Sequence, residues 1–295
     1  VSVRALVTEL RTALAASTQL EADVRADAAR EAVLLVAGVL DVAPGVVTRM
    51  SAANEQVSAA DSARVREAAA RRQRGEPLSY CTGSVGFRDL VLAVDARVLI
   101  PRSETEIVVE EALRVTAASP GGIAVDIGTG SGAIALSLAT EGRFDRVIAT
   151  DLSTDALAVA RVNAVRVGVV DKVEFRPGAD LAPLADLKPP GPLARVIVSN
   201  PPYIAYTEAA ALPESVREWE PPVALYADQE GMARYIALLA GAPMVLESGG
   251  WLVLEVDARR AQRTADLAVA EGYQQVRLAR DLAGRDRVLV ARWTS

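Results

Sequence analysis

The chain has 295 residues, 51% of them hydrophobic, enough for one large domain or two ordinary ones with a sizeable core. Its net charge is −6 and it has no long Lys/Arg run, which argues against a dedicated nucleic-acid coat or a binder of anionic membranes. Histidine is absent and Cys81 is the only cysteine, which excludes a His-based triad, a His/Cys zinc site and an intramolecular disulfide.

A lone thiol fits a reducing cytosol, so a cytoplasmic location is expected. Neither an apolar run of transmembrane length nor a charged-then-apolar leader is read at Val1. Chemistry must then fall to Asn, Asp, Glu, Tyr, backbone groups or a bound organic cofactor, and no metal is expected.

The first segment reads as helix. "VRALVTELRTALAAS" places Leu6, Val7, Leu10 and Leu14 at helical spacing. "ADAAREAVLLVAGVL" repeats the pattern around Ala32, Leu35, Val36 and Leu40, with Pro44-Gly45 as punctuation. "SAADSARVREAAARRQRG" predicts a third helix from Ser58 or Asp61 to Gly75. The densest basic cluster, "ARRQRGEP" (70–77), reads better as a solvated helix end than as a binding patch. Residues 1–77 therefore predict a small helical bundle. Next, "LVLAV" and "RVLI" around Asp95-Ala96 predict a β-hairpin linker within residues 78–104.

From about Thr105 apolar strands alternate with helices, beginning "TEIVVEEALRVTA", "IAVDIG", "GAIALSLATEG" and "RVIATD". That grammar predicts an α/β domain over 105–295, its mostly parallel sheet covered on both faces. The last two strands, "QQVRLARD" and "DRVLVARW", are too close for a helical crossover and predict an antiparallel C-terminal hairpin. A long helix is expected over "MARYIALLAGAPMVL", and a Pro-rich loop over "LKPPGPL" (187–193).

"VDIGTGSGAIAL" (125–136) is a strand, a glycine turn and a helix. Gly128, Gly130 and Gly132 let the backbone turn tightly and approach a ligand, with Thr129 and Ser131 between them. The N–H groups at the helix start would face an acceptor. The spacing is G-x-G-x-G rather than the dinucleotide fingerprint. Asp126 before the turn would repel a pyrophosphate and suits a cationic ligand. Asp151 ends the next strand, where an open α/β sheet places a carboxylate for ribose hydroxyls. The combination suits a cationic nucleoside such as S-adenosylmethionine better than NAD. In "GADLAPL" (178–184), Asp180 and Leu181 are candidates for contact with adenine, and a plain surface loop explains Asp180 equally well.

"VIVSNPPYIAY" (196–206) is an apolar strand that stops at Asn200-Pro201-Pro202-Tyr203. Two prolines cannot continue a ladder, so a stiff turn is the minimal reading. Together with "VDIGTGSGAIALSLA" and "ATDLSTDALAVARVNA", however, this stretch resembles the class I (Rossmann-like) S-adenosylmethionine-dependent methyltransferases that modify planar amide or amino nitrogens. That group includes DNA adenine N6 and protein glutamine N5 enzymes, and the NPPY motif alone does not choose between them. "RRQRGEPLSYCTGSVGF" (71–87), "LIPRSETE" (99–106), "WEPPVALYADQEGM" (219–232) and "RDLAGRDRVLVAR" (280–292) resemble release factor glutamine methyltransferases in particular. The similarity covers nearly the whole chain.

The resemblance implies an N-terminal helical substrate-recognition domain and S-adenosylmethionine as methyl donor, leaving S-adenosylhomocysteine. It implies class 1 peptide chain release factors as partners, methylated on the glutamine of their Gly-Gly-Gln motif to modulate translation termination. The Asn200 side-chain oxygen and the Pro201 carbonyl would accept the two amide N–H bonds, beside the cofactor. Pro202 would stiffen the turn and Tyr203 would stack on the amide. Leu99 to Pro101 would lie against the pocket. Arg102 and Glu106 read equally well as a helix-start ion pair, and Glu220-Pro221 as a structural loop. Two departures stand out: the family's aromatic near Leu181–Ala182 is missing, and "VDARRAQ" (256–262) replaces a usual Gly and Gln, so no role is assigned there. The alternatives are an exocyclic adenine substrate, which the acidic balance disfavours, and a cofactor-dependent binding scaffold.

Overall fold

A computed structural model describes residues 1–187, 189, 191 and 193–294; Lys188, Pro190 and Pro192 of the expected Pro-rich loop lie outside the described residues. The chain forms two units. One comprises Val1–Val85, Val94–Ala96 and Leu212–Trp219, and the other Gly86–Ala93, Arg97–Ala211 and Glu220–Ser295.

In the first unit the Ser2 hydroxyl accepts the Ala5 N–H at 3.3 Å and caps α1 (Val3–Ala16). Leu6, Leu10 and Leu14 fall on one face and are buried. After α2 (Ala22–Ala26), α3 (Ala28–Leu40) buries Ala32, Leu35 and Val36 against them and ends on Asp41, at φ 54°. Pro44-Gly45 does not merely punctuate: Pro44 opens α4 (Pro44–Ala52), since a first-turn residue has no intrahelical N–H bond to lose. Ser58 caps α5 (Ala59–Gln73), accepting from the Asp61 N–H at 2.9 Å, and α6 (Leu78–Thr82) closes the core with Cys81.

The basic cluster at 70–77 is solvated only in part: Arg74 is exposed, as the sequence reading expected, but Arg72 is not. Arg72 is 5% exposed. Its Nε donates to Glu31 at 2.7 Å and its Nη1 to the Glu76 carbonyl at 3.1 Å, while Arg71 pairs with the Glu76 carboxylate. A guanidinium is buried only where such acceptors await it.

The hairpin is real but displaced. It pairs β1 (Ser84–Phe87) with β2 (Leu90–Ala93), turning at Arg88-Asp89, and residues 97–100 carry no strand. Arg88 anchors the turn: its N–H donates to Glu106 at 3.0 Å and its guanidinium grips Glu141 at 2.7 and 2.6 Å.

Seven strands form the main sheet: β3 (Ile123–Ile127), β4 (Arg146–Asp151), β5 (Val173–Pro177), β6 (Ala194–Ser199), β7 (Leu246–Glu255), β8 (Gln274–Arg280) and β9 (Asp286–Arg292). Their order is β5-β4-β3-β6-β7-β9-β8, with the first five parallel and the last pairings antiparallel, as expected. Helices α7 (Thr105–Thr116), α8 (Ala133–Glu141) and α9 (Thr154–Val167) pack along the parallel strands. α10 (Ala233–Gly241) and α11 (Ala261–Ala270) share a core with Ile123, Val125 and Ile127. Every residue of β3 is buried, so both faces are covered. α10 stops at Gly241, short of the expected helix, because Pro243 follows. Among the described residues no single helix is long and apolar enough to cross a membrane.

The helical unit offers a comparison of two ion pairs. Arg72–Glu31 has side chains 6% and 16% exposed, whereas Arg66–Glu9, at 2.7 Å, is 44% and 48% exposed. Glu31→Ala strands a buried guanidinium and is expected to cost about 3 kcal/mol; Glu9→Ala is expected to cost less than about 1 kcal/mol. Urea unfolding of both variants checks the ranking, and equal losses would contradict it.

Candidate active site

Strands β4, β3 and β6 lie side by side, and Ile127 pairs with both Thr150 and Ser199. The next residues, Asp151, Gly128 and Asn200, therefore reach the carboxyl edge of the sheet together. Strand order reverses at this point, which is where ligands bind in open α/β sheets. Ser199 holds the level by donating its hydroxyl to the Ile127 carbonyl at 2.7 Å.

These strand ends open a cleft at the switch point of the sheet, a usual place for a small-molecule site. Gly128 and Gly130 form its floor with Asp151 to Ser153, Gly178 to Asp180 and Asn200 to Pro202. Arg97 to Leu99, Pro221, Val223 and Ala224 add walls, and Arg234 and Leu238 reach in from α10. Sequence reading singled out none of Leu152, Val223, Arg234 and Leu238, although Leu152 and Val223 lie within stretches quoted for the family resemblance.

The three glycines do different jobs. Gly128 and Gly130 have φ of 73° and 54°, and a Cβ on either would stand in open space along the cleft. Gly132 instead permits packing: a Cβ there would crowd Leu136 at 3.1 Å and Ala160 at 3.3 Å. Ser131 is buried and gives its carbonyl to Asn163 Nδ2 at 2.8 Å, and Thr129 is buried beneath the turn. Thr129, Ser131 and Gly132 shape the cradle from behind; none of them lines the cleft.

Asp126, which the sequence reading set against a cationic ligand, does not line the cleft either. It is fully buried; Oδ2 accepts from the Thr129 hydroxyl at 2.6 Å and the Ala135 N–H at 3.1 Å, and Oδ1 has no partner. The start of α8 thus spends one of its free N–H groups on an internal carboxylate. Burial pushes the Asp126 carboxyl up from 3.8 to about 7, with the two hydrogen bonds opposing. Asp151 is also raised by burial, against hydrogen bonds from the backbone of Ser153 and Gly130. Its Oδ1 accepts from Ser153 at 2.8 Å and its Oδ2 from Gly130 at 2.9 Å, so it braces the glycine turn while lining the cleft.

Two expected contacts stand back from the cleft. Leu181 packs into the core over Gly241, while its neighbour Asp180 lines the cleft, paired with Arg234 at 2.8 Å. Tyr203 lies against the core and donates its hydroxyl to Glu255 Oε1 at 3.3 Å, instead of presenting its ring to the cleft. Arg102 pairs not with Glu106 but with Glu220. That pair ties the wall at 97–99 to the wall at 221–224. The segment "VDARRAQ" likewise gains a role: Arg259 and Arg260 hold Glu208, at 2.6 and 2.8 Å, bracing the loop after Tyr203.

Asn200 is oriented from behind. Its Nδ2 donates to Thr105 Oγ1 at 3.2 Å, and that hydroxyl donates to Glu255 Oε2 at 2.6 Å. Glu255 is 2% exposed; burial raises its pKa, against the Thr105 hydrogen bond and the Arg287 guanidinium. Sequence reading passed over Thr105 and Glu255, whose signal was one acid closing the apolar run "GWLVLE".

A carboxyl raised to about 7 stays protonated in the folded chain while the unfolded chain ionises. Asp126 should therefore lower stability as pH rises from 3.8 to about 7, with no further change above. Asp126→Asn cannot titrate, so its melting temperature relative to wild type is expected to climb across that window. A pH-independent difference would contradict the assignment.

Family models match both parts of the chain. One described as the PrmC N-terminal domain matches residues 13–83, and one described as a methyltransferase small domain matches residues 105–214. A release factor glutamine methyltransferase of Moorella thermoacetica is 42% identical over 238 residues, 80% of this chain and 82% of the relative. Another, of Cereibacter sphaeroides, is 38% identical over 266 residues, 90% of this chain and 91% of the relative. Among solved structures, a ribosomal protein L11 methylase from Lactobacillus delbrueckii subsp. bulgaricus has a TM-score of 0.51 at 16% identity, over 72% of this chain and 99% of that one, a likeness of fold.

Proposed function

Since the chain belongs to the release factor glutamine methyltransferase family, we propose that it methylates the side-chain amide nitrogen of the Gly-Gly-Gln glutamine in class 1 release factors, using S-adenosylmethionine. The observation that carries this reading is the meeting, in one cleft, of an open glycine turn braced by Asp151 with the immobilised carboxamide of Asn200.

The cradle fits the cofactor. Open space over Gly128 and Gly130 admits a ligand to the backbone. One N–H at the start of α8, that of Ala135, is already spent on Asp126, which leaves fewer donors there for a pyrophosphate, and this cofactor has none. Asp151 keeps acceptor capacity beyond its two backbone bonds and would take the ribose hydroxyls. Leu152, 54% exposed on the cleft wall, and Asp180 would meet the adenine, with Leu181 supporting from the core. Bound there, the cofactor supplies an electrophilic methyl group on a sulfonium sulfur and leaves as S-adenosylhomocysteine.

The protein's part is to position a poor nucleophile. The lone pair of an amide nitrogen is delocalised into its carbonyl. Asn200 Nδ2 is committed to Thr105, which leaves Oδ1 for the target. With the Pro201 carbonyl it would accept both N–H bonds of the glutamine amide. Fixed acceptors align the nitrogen and stabilise positive charge developing on it. Pro202 stiffens the turn, and Tyr203 acts as a brace through Glu255 rather than by stacking. Methylation acidifies the nitrogen, so its proton leaves to water without a strong base.

We assign the helical unit to recognition of the factor and the sheet unit to catalysis, a division that the matches at 13–83 and 105–214 support. The linker expected over 78–104 is shorter than that: Cys81 belongs to the helical core and Arg97 to Leu99 to the cleft wall. The test is incubation with labelled cofactor plus release factor, a Gln→Ala factor and DNA. Label is expected on the unaltered factor alone; label on DNA would favour the adenine reading. Asn200→Ala is expected to cut transfer by about 100–1,000-fold while S-adenosylhomocysteine affinity stays within about twofold. Asp151→Ala should instead weaken that affinity by about 10–100-fold, read by calorimetry.

A further inference from the structure

Asn200 serves as an acceptor only while its amide is turned one way, and the groups that decide this lie behind the end of β6. The chain of contacts is short: Asn200 Nδ2 to Thr105 Oγ1 at 3.2 Å, then Thr105 Oγ1 to Glu255 Oε2 at 2.6 Å. A threonine hydroxyl has one proton to give, and here it goes to Glu255 Oε2. Thr105 therefore turns its lone pairs toward Asn200. Asn200 must answer with its NH2 group, and its oxygen is left for the cleft. The other oxygen of Glu255 takes the Tyr203 hydroxyl at 3.3 Å, so one carboxylate secures both ends of Asn200-Pro201-Pro202-Tyr203. Thr105 is 4% exposed and Glu255 2%, at the end of a strand whose Leu252, Val253 and Leu254 are fully buried. An acid in such a place is costly, and a neutral side chain would pack there more cheaply.

We infer that Thr105 and Glu255 are positioning residues that set the direction of the Asn200 amide, and that this direction makes the cleft take a carboxamide and refuse a carboxylate of the same shape. The inference rests on the acceptor role proposed above for Asn200. Two acceptors, Asn200 Oδ1 and the Pro201 carbonyl, would repel a glutamate side chain. An inverted Asn200 would offer it a donor.

Glu255→Gln tests this, because a glutamine can donate to Thr105 and reverse the chain of hydrogen bonds. Binding of Gly-Gly-Gln and Gly-Gly-Glu peptides is measured in the presence of S-adenosylhomocysteine, alongside kcat on the release factor. Glu255→Gln is expected to narrow the preference for Gln over Glu by about tenfold or more and to lower kcat by about 10–100-fold, with S-adenosylhomocysteine affinity unchanged. Thr105→Val, which keeps the packing, should behave like Glu255→Gln; Thr105→Ser, which keeps the hydroxyl, should behave like wild type. Affinity for S-adenosylhomocysteine reports folding, and if Glu255→Gln does not fold, the Thr105 pair decides. Wild-type discrimination and kcat in Thr105→Val, or a Ser variant as impaired as Val, would overturn the inference. Transfer surviving in Asn200→Ala would instead sink the role of Asn200 itself, a separate result.

Discussion

Parallel pairing of β4, β3 and β6, in unbroken register from Ala124 onward, sets Ile127 against Thr150 on one side and Ser199 on the other, and the site follows from that alignment. Three strands end level, so a carboxylate, a glycine turn and a carboxamide meet at one edge without any of them reaching. A slip of one residue in β6 would turn its side chains to the opposite face and carry Asn200 away from Gly128. The Ser199 hydroxyl bonded to the Ile127 carbonyl, and the Gly128 and Thr129 N–H groups bonded to the Thr150 carbonyl at 2.9 and 2.8 Å, pin the two neighbours of β3 to it.

Buried and half-buried acids then do the positioning that surface loops could not. Asp126 holds the glycine turn to α8, Asp151 holds Gly130 from the side, Glu220 ties together the two walls, and Glu255 stands behind Asn200. Each carries a desolvation cost, visible as a raised pKa, that an apolar residue would avoid. Their shared location around one cleft points to geometry, rather than stability, as what these acids provide.

Much of this was legible in the sequence where chemistry and chain position coincide. Gly128, Asp151 and Asn200 stand at strand ends, and the alternation of strands and helices already places strand ends at a ligand edge. Residues whose meaning depends on direction were harder. Leu181 and Tyr203 sit beside motif residues but turn into the core, and Asp126 turns under the loop. Thr105 and Glu255 are 150 positions apart, so no local pattern joins them. Arg72 looked like a solvated helix end because its partner Glu31 is 41 residues away. The hairpin was misplaced by a few residues because the grip of Arg88 on Glu106 and Glu141, distant in sequence, chooses the turn.

A crystal structure with S-adenosylhomocysteine and a Gly-Gly-Gln peptide tests the central claim most directly, since it reads both halves of the cleft at once. The predicted result has the ribose hydroxyls on Asp151, and the glutamine amide nitrogen within hydrogen-bond distance, about 2.7–3.2 Å, of both Asn200 Oδ1 and the Pro201 carbonyl. A glutamine amide held elsewhere, or meeting the Asn200 nitrogen instead of its oxygen, would contradict it.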